Sequence, residues 1–128
     1  MTSVTWTTSS GKYLVTDVNH FACIMAQGSG FSTTGAPSSY LTASFLQTAN
    51  IDYSGYSSNL SGNSFAGTYD GGGYSISNVS VTASSGTWIG LFGNMSGTVQ
   101  NANFTGSMTL ALNSGQFNGL LSGSTGGT

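Results

Sequence analysis

The sequence predicts an all-β fold, a parallel β-helix-like solenoid with one short N-terminal helix as its cap. Two segments with the same apolar-x-Asn-x-x-apolar pattern, residues 76–81 and 99–104, begin 23 positions apart. Glycine supplies 20 of the 128 residues, and short β-branched or aromatic runs alternate with turn residues. Short strand-like units that recur at a period in the twenties are typical of solenoids, in which each coil stacks on the preceding coil.

Residues 1–42 are predicted to form an N-terminal cap region with a short helix over 17–27. Asp17 is a favourable N-cap residue, and Gly28 fits the C′ position after the helix end. The apolar residues between them recur at helical spacing: Val18, Phe21, Ala22 and Met25. We expect this amphipathic helix to cover one end of the core, which would otherwise be an open sheet edge.

The other elements are predicted from alternating apolar residues and from turn residues. Strands are predicted at residues 4–8, 13–16, 41–51, 65–69, 74–81, 88–92, 98–104, 108–112 and 117–121. Loops are predicted at 28–40, which contains Pro37, and at 52–63, and a turn is predicted at 94–97. Residues 43–128 would therefore hold the solenoid repeats, of which the last is expected to be truncated.

The repeat zone contains a tight turn and a pair of matching asparagines. The turn is predicted at four consecutive residues: Asp70, Gly71, Gly72 and Gly73. Glycine favours a turn here because it adopts positive φ at no steric cost. Asn78 and Asn101 occupy equivalent positions of the two segments, so they are predicted to stack as an amide ladder. We prefer this structural role to ligand binding.

The chain is almost free of charge, since only 3% of its residues are charged. The charged residues are Lys12, Asp17, Asp52 and Asp70. A single cation cannot form the basic patch that phosphate recognition needs, so nucleic-acid binding is excluded. No apolar run is long enough to cross a bilayer, so no membrane insertion is expected. A surface without charge tolerates close packing against copies of itself or other subunits.

Two groups of residues could carry chemistry, and for both the structural interpretation is favoured. Asp52 and Asp70 could act as the acid and base of a glycosidase, but both stand in turns, where a carboxylate bonds backbone amides. His20 and Cys23 could form a nucleophilic pair or two metal ligands on the helix. We instead expect Cys23 to be a buried small hydrophobe and His20 a surface or cap residue. No catalytic residue, cofactor site or metal site is predicted.

The loop at 52–63 supplies the candidate ligand contacts. Tyr53 and Tyr56 could stack on a sugar there, and Trp88 is expected in the core instead. Four asparagines match the glycosylation acceptor pattern: Asn59, Asn78, Asn94 and Asn103. Chance matches are expected in a chain this rich in asparagine and serine, and no export leader is visible at the start, so we expect these acceptors to be unused.

Residues 65–81, followed by Gly90-Leu-Phe-Gly93 and then 96–104, closely resemble the GLUG-motif repeat, and 45–52 resemble the strand that precedes it. The resemblance implies a parallel β-helix or a related solenoid. Such repeats occur in bacterial surface adhesins, in proteins of large DNA viruses and beside the catalytic domain of immunoglobulin A-cleaving metallopeptidases. Peptidase chemistry is not implied, because this chain has one histidine and no glutamate for a His-Glu-x-x-His zinc site.

Together these observations predict a structural protein and not an enzyme. The favoured function is a minor virion or capsid-associated component that packs against other structural subunits, or against itself, through uncharged polar surfaces. The alternative is an extracellular, cell-surface adhesin-type repeat that binds a glycan or a protein. Neither function requires a cofactor.

Overall fold

The computed structural model of the chain describes residues 1–60, 63–83, 91–110 and 124–125. It is a β-solenoid of about three turns with one helix, which confirms the predicted fold class. The elements are β1 (Thr2–Thr5), β2 (Thr8–Ser9), β3 (Lys12–Val15), α1 (Val18–Met25), β4 (Phe31–Thr34), β5 (Ser44–Gln47), β6 (Ile51–Asp52), β7 (Ser64–Phe65), β8 (Thr68–Asp70), β9 (Ser75–Ala83), β10 (Asn94–Met95), β11 (Thr98–Gln100), β12 (Asn103–Leu110) and β13 (Ser124–Thr125).

The strands stack into four sheets, and each solenoid turn contributes one strand to each of the larger ones. The five-stranded sheet has the order β11-β8-β5-β3-β2, and two three-stranded sheets have the orders β12-β9-β6 and β13-β10-β7. A two-stranded sheet joins β1 to β4. Every pairing is parallel except the β2–β3 hairpin, as expected when successive coils run in the same direction.

The stacking register differs from the 23-residue spacing of the two similar segments. Tyr69 pairs with Val99, whereas Ile76 pairs with Phe104, so Ile76 and Val99, the equivalent first residues of the two segments, are not register partners. The segments resemble each other because each turns a corner through an asparagine with positive φ. These corner residues are Asn78 (φ 59°) and Asn101 (φ 53°). The observed coil spacing is instead marked by Gly67-Thr68 and Gly97-Thr98, which stack in register.

Corners divide several of the predicted strands. The run at 65–69 is two strands, β7 and β8, which meet at Ala66–Gly67, and 98–104 is divided in the same way between β11 and β12. The turn predicted at 94–97 begins with strand β10, and β12 continues through Gly106 to Leu110, where a separate strand was expected. Gly106 is the position at which β12 shifts register against β9.

The cap region also differs from its prediction in one element. The segment predicted as a loop at 28–40 contains β4, whose residues Phe31–Thr34 pair with β1 along their whole length. A low-complexity run of serine, threonine and glycine concealed this strand, because it lacks apolar alternation. Parts of the predicted strands, residues 84–90 and 111–123, lie outside the described residues.

Helix α1 lies against β1 and β3 at the N-terminal end of the core. Asp17 is its N-cap, and the Asp17 side chain accepts from the backbone N–H of His20 at 2.9 Å. At the other end, Gln27 donates to the carbonyl of Ile24, and Gly28 donates to that of Cys23. These two bonds form a Schellman motif with Gln27, not Gly28, at C′.

The core is a column of aromatic and aliphatic side chains inside the coils. Ile51, Ile76 and Phe104 stack in register on one wall, and Phe45 stacks on Tyr69 on another. Gln47, the buried polar residue of this core, donates to the carbonyls of Ala49 and Ser75 and accepts from the Tyr69 hydroxyl at 2.9 Å. Two successive coils are thereby joined through one buried amide, whose polar groups are all bonded.

Candidate functional site

The predicted glycine turn lies at the end of β8 and is closed by Asp70. The Asp70 Oδ1 atom accepts from the backbone N–H of Gly72 at 2.9 Å, and Gly72 and Gly73 have φ of 62° and 86°. Asn101, on the next coil, donates its side-chain amide to the same oxygen at 3.4 Å. One carboxylate therefore holds its own turn and the following coil together.

Asp52 repeats this arrangement in another sheet. Its Oδ1 atom accepts from the backbone N–H of Ser54 at 2.9 Å and from the side-chain amide of Asn78, on the next coil, at 2.9 Å. We call each of these two arrangements an Asp–Asn clasp. Carboxylates accept such bonds well because the acceptor is ionised.

The amide ladder predicted for Asn78 and Asn101 is wrong. Asn101 follows Gln100, which is the register partner of Asp70, so Asn101 lies beside Asp70 and not beside Asn78. Each asparagine bonds to an aspartate of the preceding coil. The sequence correctly identified these two asparagines as structurally important. Each has a positive φ, and its side-chain amide bonds a carboxylate. The partner of each asparagine is therefore an aspartate, and the two asparagines serve different corners.

Both clasped carboxyl groups are held ionised. The Asn78 amide is the main cause that lowers the pKa of Asp52, and the Gly72 N–H is the main cause for Asp70. A glycosidase general acid needs the opposite, a raised pKa. Asp52 and Asp70 also lie in different sheets, so the arrangement suits corner stabilisation and not paired acid–base work.

Every charged side chain of the molecule has an internal partner. Lys12 Nζ lies 3.7 Å from Asp70 Oδ2, Asp52 belongs to its clasp, and Asp17 caps the helix. Asp17 Oδ1 also lies 3.1 Å from the Nδ1 atom of His20. The outward faces of the coils consequently present hydroxyl and amide groups with little net charge.

The ligand contact predicted at Tyr53 is wrong, because its side chain is fully buried. The Tyr53 hydroxyl donates to the carbonyl of Ser58 at 2.9 Å, and burial raises the pKa of the phenol. Tyr56 is half-buried and stacks on Tyr53 with ring centroids 5.3 Å apart. Its hydroxyl donates to Asn19 Oδ1 at 3.1 Å, so Tyr56 ties the loop to helix α1.

His20 was predicted as a surface or cap residue: it is buried, so the surface alternative is wrong, and it lies in the first turn of α1, where its backbone N–H bonds the N-cap Asp17. Its Nε2 atom lies 2.9 Å from the carbonyl oxygen of Thr5, and Nδ1 lies 3.1 Å from the hydroxyl oxygen of Thr16. Cys23 is buried as expected, with its sulfur 3.3 Å from the Tyr40 hydroxyl. The two residues serve different contacts, and no group of metal ligands occurs among the described residues.

Sequence reasoning missed Gln47 and Tyr74. Gln47 carried no signal because a single glutamine in a strand looks like an outward polar residue. Tyr74 is 39% exposed beside the glycine turn, and its position after three glycines was the available signal. Within the part of the chain that the structure describes, no pocket is present and no helix is long and apolar enough to span a membrane.

Fold and geometry define a class: a small β-solenoid with corner clasps, a capped N-terminal end and few charged side chains. No protein-family model, no curated protein and no solved structure matches the chain. The resemblance to the GLUG-motif repeat therefore stays a prediction.

Proposed function

We propose that this chain is a structural module that packs into a larger assembly through the outward face of its five-stranded sheet. The observation that carries the proposal is that the charged side chains of this sheet, Lys12 and Asp70, compensate each other at 3.7 Å, while Asp17 and Asp52 lie outside the sheet. An unpaired charge would oppose burial in an interface at a cost of several kcal/mol, roughly, per ion. A face without one can be covered by another subunit at little electrostatic cost.

The five-stranded sheet is the best candidate face because it is the broadest in the described structure. Ser44, Thr68 and Thr98 are register partners on successive strands, and all three are half-buried. Leu14 and Leu46 form a second half-buried column beside them. Small hydroxyl groups flanking two leucines resemble the apolar centre and polar rim of protein interfaces.

A virion is the setting that we propose first, as a minor capsid-associated component. In a densely packed shell, a surface without charge is harmless, whereas for a free protein it promotes association and precipitation. An extracellular adhesin-type role is the second proposal, and exposed Tyr74 favours it. Immunogold labelling with antibodies to the chain separates the two, since label on assembled particles supports a virion and label on the cell envelope supports an adhesin.

Sedimentation velocity at increasing protein concentration tests the packing face. We expect reversible growth in mass that salt changes little, because screening has little charge to act on. Thr98→Lys should weaken association about tenfold or more, because it places an unpaired ammonium in the interface. Thr98→Ser, which keeps the hydroxyl and adds no charge, should leave association near that of the parent chain.

Thr33→Lys is the matched control, since it adds the same charge at an exposed residue of a different sheet. A chain that stays monomeric at every concentration contradicts the proposal. Equal weakening by Thr33→Lys and Thr98→Lys would contradict the choice of face, since net charge alone would then explain the effect.

A further inference from the structure

We propose that a surface formed by Lys12, Asp70, Gln100, Asn101 and Tyr74 binds a neutral, hydroxyl-rich saccharide. We call these five residues the corner cluster. It contains the chain's one lysine, a carboxylate, two primary amides and an exposed aromatic side chain around one turn of the solenoid. This inference rests on its own contacts, although Lys12, Asp70 and Gln100 lie in the five-stranded sheet, so subunit packing on that face would compete with the saccharide.

The aromatic part of the corner cluster is Tyr74. Among the described residues, Tyr74 and Met1 are the exposed large hydrophobic side chains. The Tyr74 ring lies beside Gly72, where a Cβ atom would be 3.3 Å from the ring carbon Cδ2. Because Gly72 has no side chain, the ring borders the turn directly, and 39% of the residue is exposed to solvent. Exposed tyrosine offers an apolar face with a polar edge, which suits the C–H face of a sugar ring.

The polar part of the corner cluster is joined to Tyr74 through the same glycine. Gly72 donates its N–H to Asp70 Oδ1 at 2.9 Å, and the Asn101 amide reaches that oxygen at 3.4 Å. Lys12 Nζ stands 3.7 Å from the other carboxylate oxygen. Gln100 is the register partner of Asp70 on the next coil and is exposed, as is Asn101.

These groups keep hydrogen-bonding capacity beyond their mutual contacts. An ammonium has three donors, each primary amide has two donors and an acceptor oxygen, and a carboxylate has about four acceptor sites. A sugar hydroxyl both donates and accepts, so it matches a surface that mixes donors and acceptors at close range. A group that only accepts, such as a phosphate, would meet the Asp70 carboxylate unfavourably.

The charge of the corner cluster selects a neutral ligand. The Lys12 ammonium and the Asp70 carboxylate compensate each other at 3.7 Å, so the surface attracts neither anions nor cations at long range. The turn that carries the cluster is fixed by the Asp70 clasp and by stacking of Gly71 on the next coil. Saccharide binding would therefore cost little ordering of the protein.

Affinity electrophoresis in native gels tests the site with three neutral polysaccharides: galactomannan, soluble β-glucan and dextran. We expect at least one of them to retard the chain. Tyr74→Ala should weaken the apparent affinity about tenfold, because it removes the stacking surface. Tyr74→Phe keeps the ring and should retain most of the retardation, and Gln100→Ala should weaken it less than Tyr74→Ala.

Thr33→Ala, at an exposed residue of the β1–β4 sheet, controls for truncation of an exposed side chain elsewhere and should change nothing. Circular dichroism confirms that each variant is folded, since Tyr74 and Gln100 are exposed and their removal should not unfold the chain. Retardation by none of the three polysaccharides overturns the proposal. So does retardation that survives in Tyr74→Ala, or that is equally strong with anionic polygalacturonate.

Discussion

The cap region and the coils hold their layers together with different chemistry. In the coils, backbones stack on backbones: Thr98 donates its N–H to the carbonyl of Gly67, and Thr68 donates to that of Ala43. In the cap, side chains fill the space between the helix and the strands. Trp6 packs there against the rings of Tyr13, His20, Tyr40 and Phe45.

The space around the glycines of the two regions illustrates this difference. A Cβ atom on Gly67 or Gly97 would overlap the carbonyl oxygen of the coil below, and in the cap one on Gly35 would lie 2.8 Å from the Trp6 carbonyl oxygen, whereas Gly11 and Gly30 have nothing within 4 Å of that position. Parallel strands lie about 4.8 Å apart, which leaves no room for a side chain that points along the stack. At the corners of the coils, residue size is therefore restricted by the backbone of the neighbouring coil. In the cap it is restricted chiefly by the side chains packed around Trp6.

The largest effect is expected where the two regions meet, at Phe21 of helix α1. Its ring lies edge-on to three rings of the coils, with centroids 5.1 Å from Tyr53, 5.8 Å from Tyr69 and 6.5 Å from Phe92. Phe21→Ala should lower the free energy of unfolding by about 4 kcal/mol, because it leaves a cavity at the end of the core. Urea titration followed by far-UV circular dichroism measures this.

Phe21→Leu, which nearly conserves volume, is the control and should cost about 1.5 kcal/mol or less. Native-state hydrogen exchange then shows whether the coils open together with the cap. If Phe21→Ala leaves the protection of β5 and β8 unchanged, the cap and the coils are separate cooperative units, contrary to our expectation.

The next effect is expected at a corner of the coils. Gly97→Ala should destabilise the fold by about 3 kcal/mol, because its new methyl group meets backbone atoms of Ala66 and Gly67 that cannot move without breaking the stack. Gly30→Ala adds the same methyl group in open space, so its cost of about 1 kcal/mol comes only from positive φ. Thermal and urea unfolding of both variants provide the comparison, and equal losses would refute backbone stacking at the Gly97 corner.

The sequence predicted the fold class well because class depends on composition and on short, evenly spaced strands. It did not predict the coil register, since residues 76–81 and 99–104 resemble each other through shared corner chemistry. Gly67-Thr68 and Gly97-Thr98 carried the observed spacing, but a two-residue pattern is weak in a chain with 20 glycines. Register depends on which backbone atoms can approach, and that is a property of the stacked coils.

A smaller effect is expected from the Asp–Asn clasps, which the cap lacks in this form. Asn78→Ala removes the bond to Asp52 and places alanine at φ 59°, so it should cost about 2 kcal/mol. Asn78→Gly removes only the bond, since glycine tolerates this φ, and should cost about 1 kcal/mol. A double-mutant cycle with Asp52→Ala, followed by urea unfolding, isolates the side-chain bond. No coupling between the two positions would rule the clasp out as a stabilising contact.

The candidate site was less predictable than the fold, and the reasons are local. Tyr53 and Tyr56 stand in a polar loop that suggests exposure, but their rings stack and the loop folds over the core. His20 was expected at the surface or in the cap, and one turn of helix pattern cannot show that the end of β1 lies against its ring and buries it. Tyr74 differs in that it precedes strand β9 and its ring lies against a glycine turn. Exposure of single aromatic residues is decided by neighbouring coils that the local sequence does not specify.

The smallest effect is a pH dependence that originates in the carboxylates of the coils. The pKa values of Asp52 and Asp70 lie below the ordinary 3.8 in the folded chain, because hydrogen-bond donors favour the ionised form. Their contribution to stability is therefore complete above the unfolded pKa and is lost as the pH falls through the folded pKa. The free energy of unfolding should decrease as the pH is lowered from about 5 to about 2, where carboxylates titrate.

Asp52→Asn combined with Asp70→Asn should flatten this decrease, and urea titrations across that pH range measure it. Asp17→Asn, in the cap, is the matched control, and a larger flattening by Asp17→Asn than by the double variant would place the acid sensitivity in the cap.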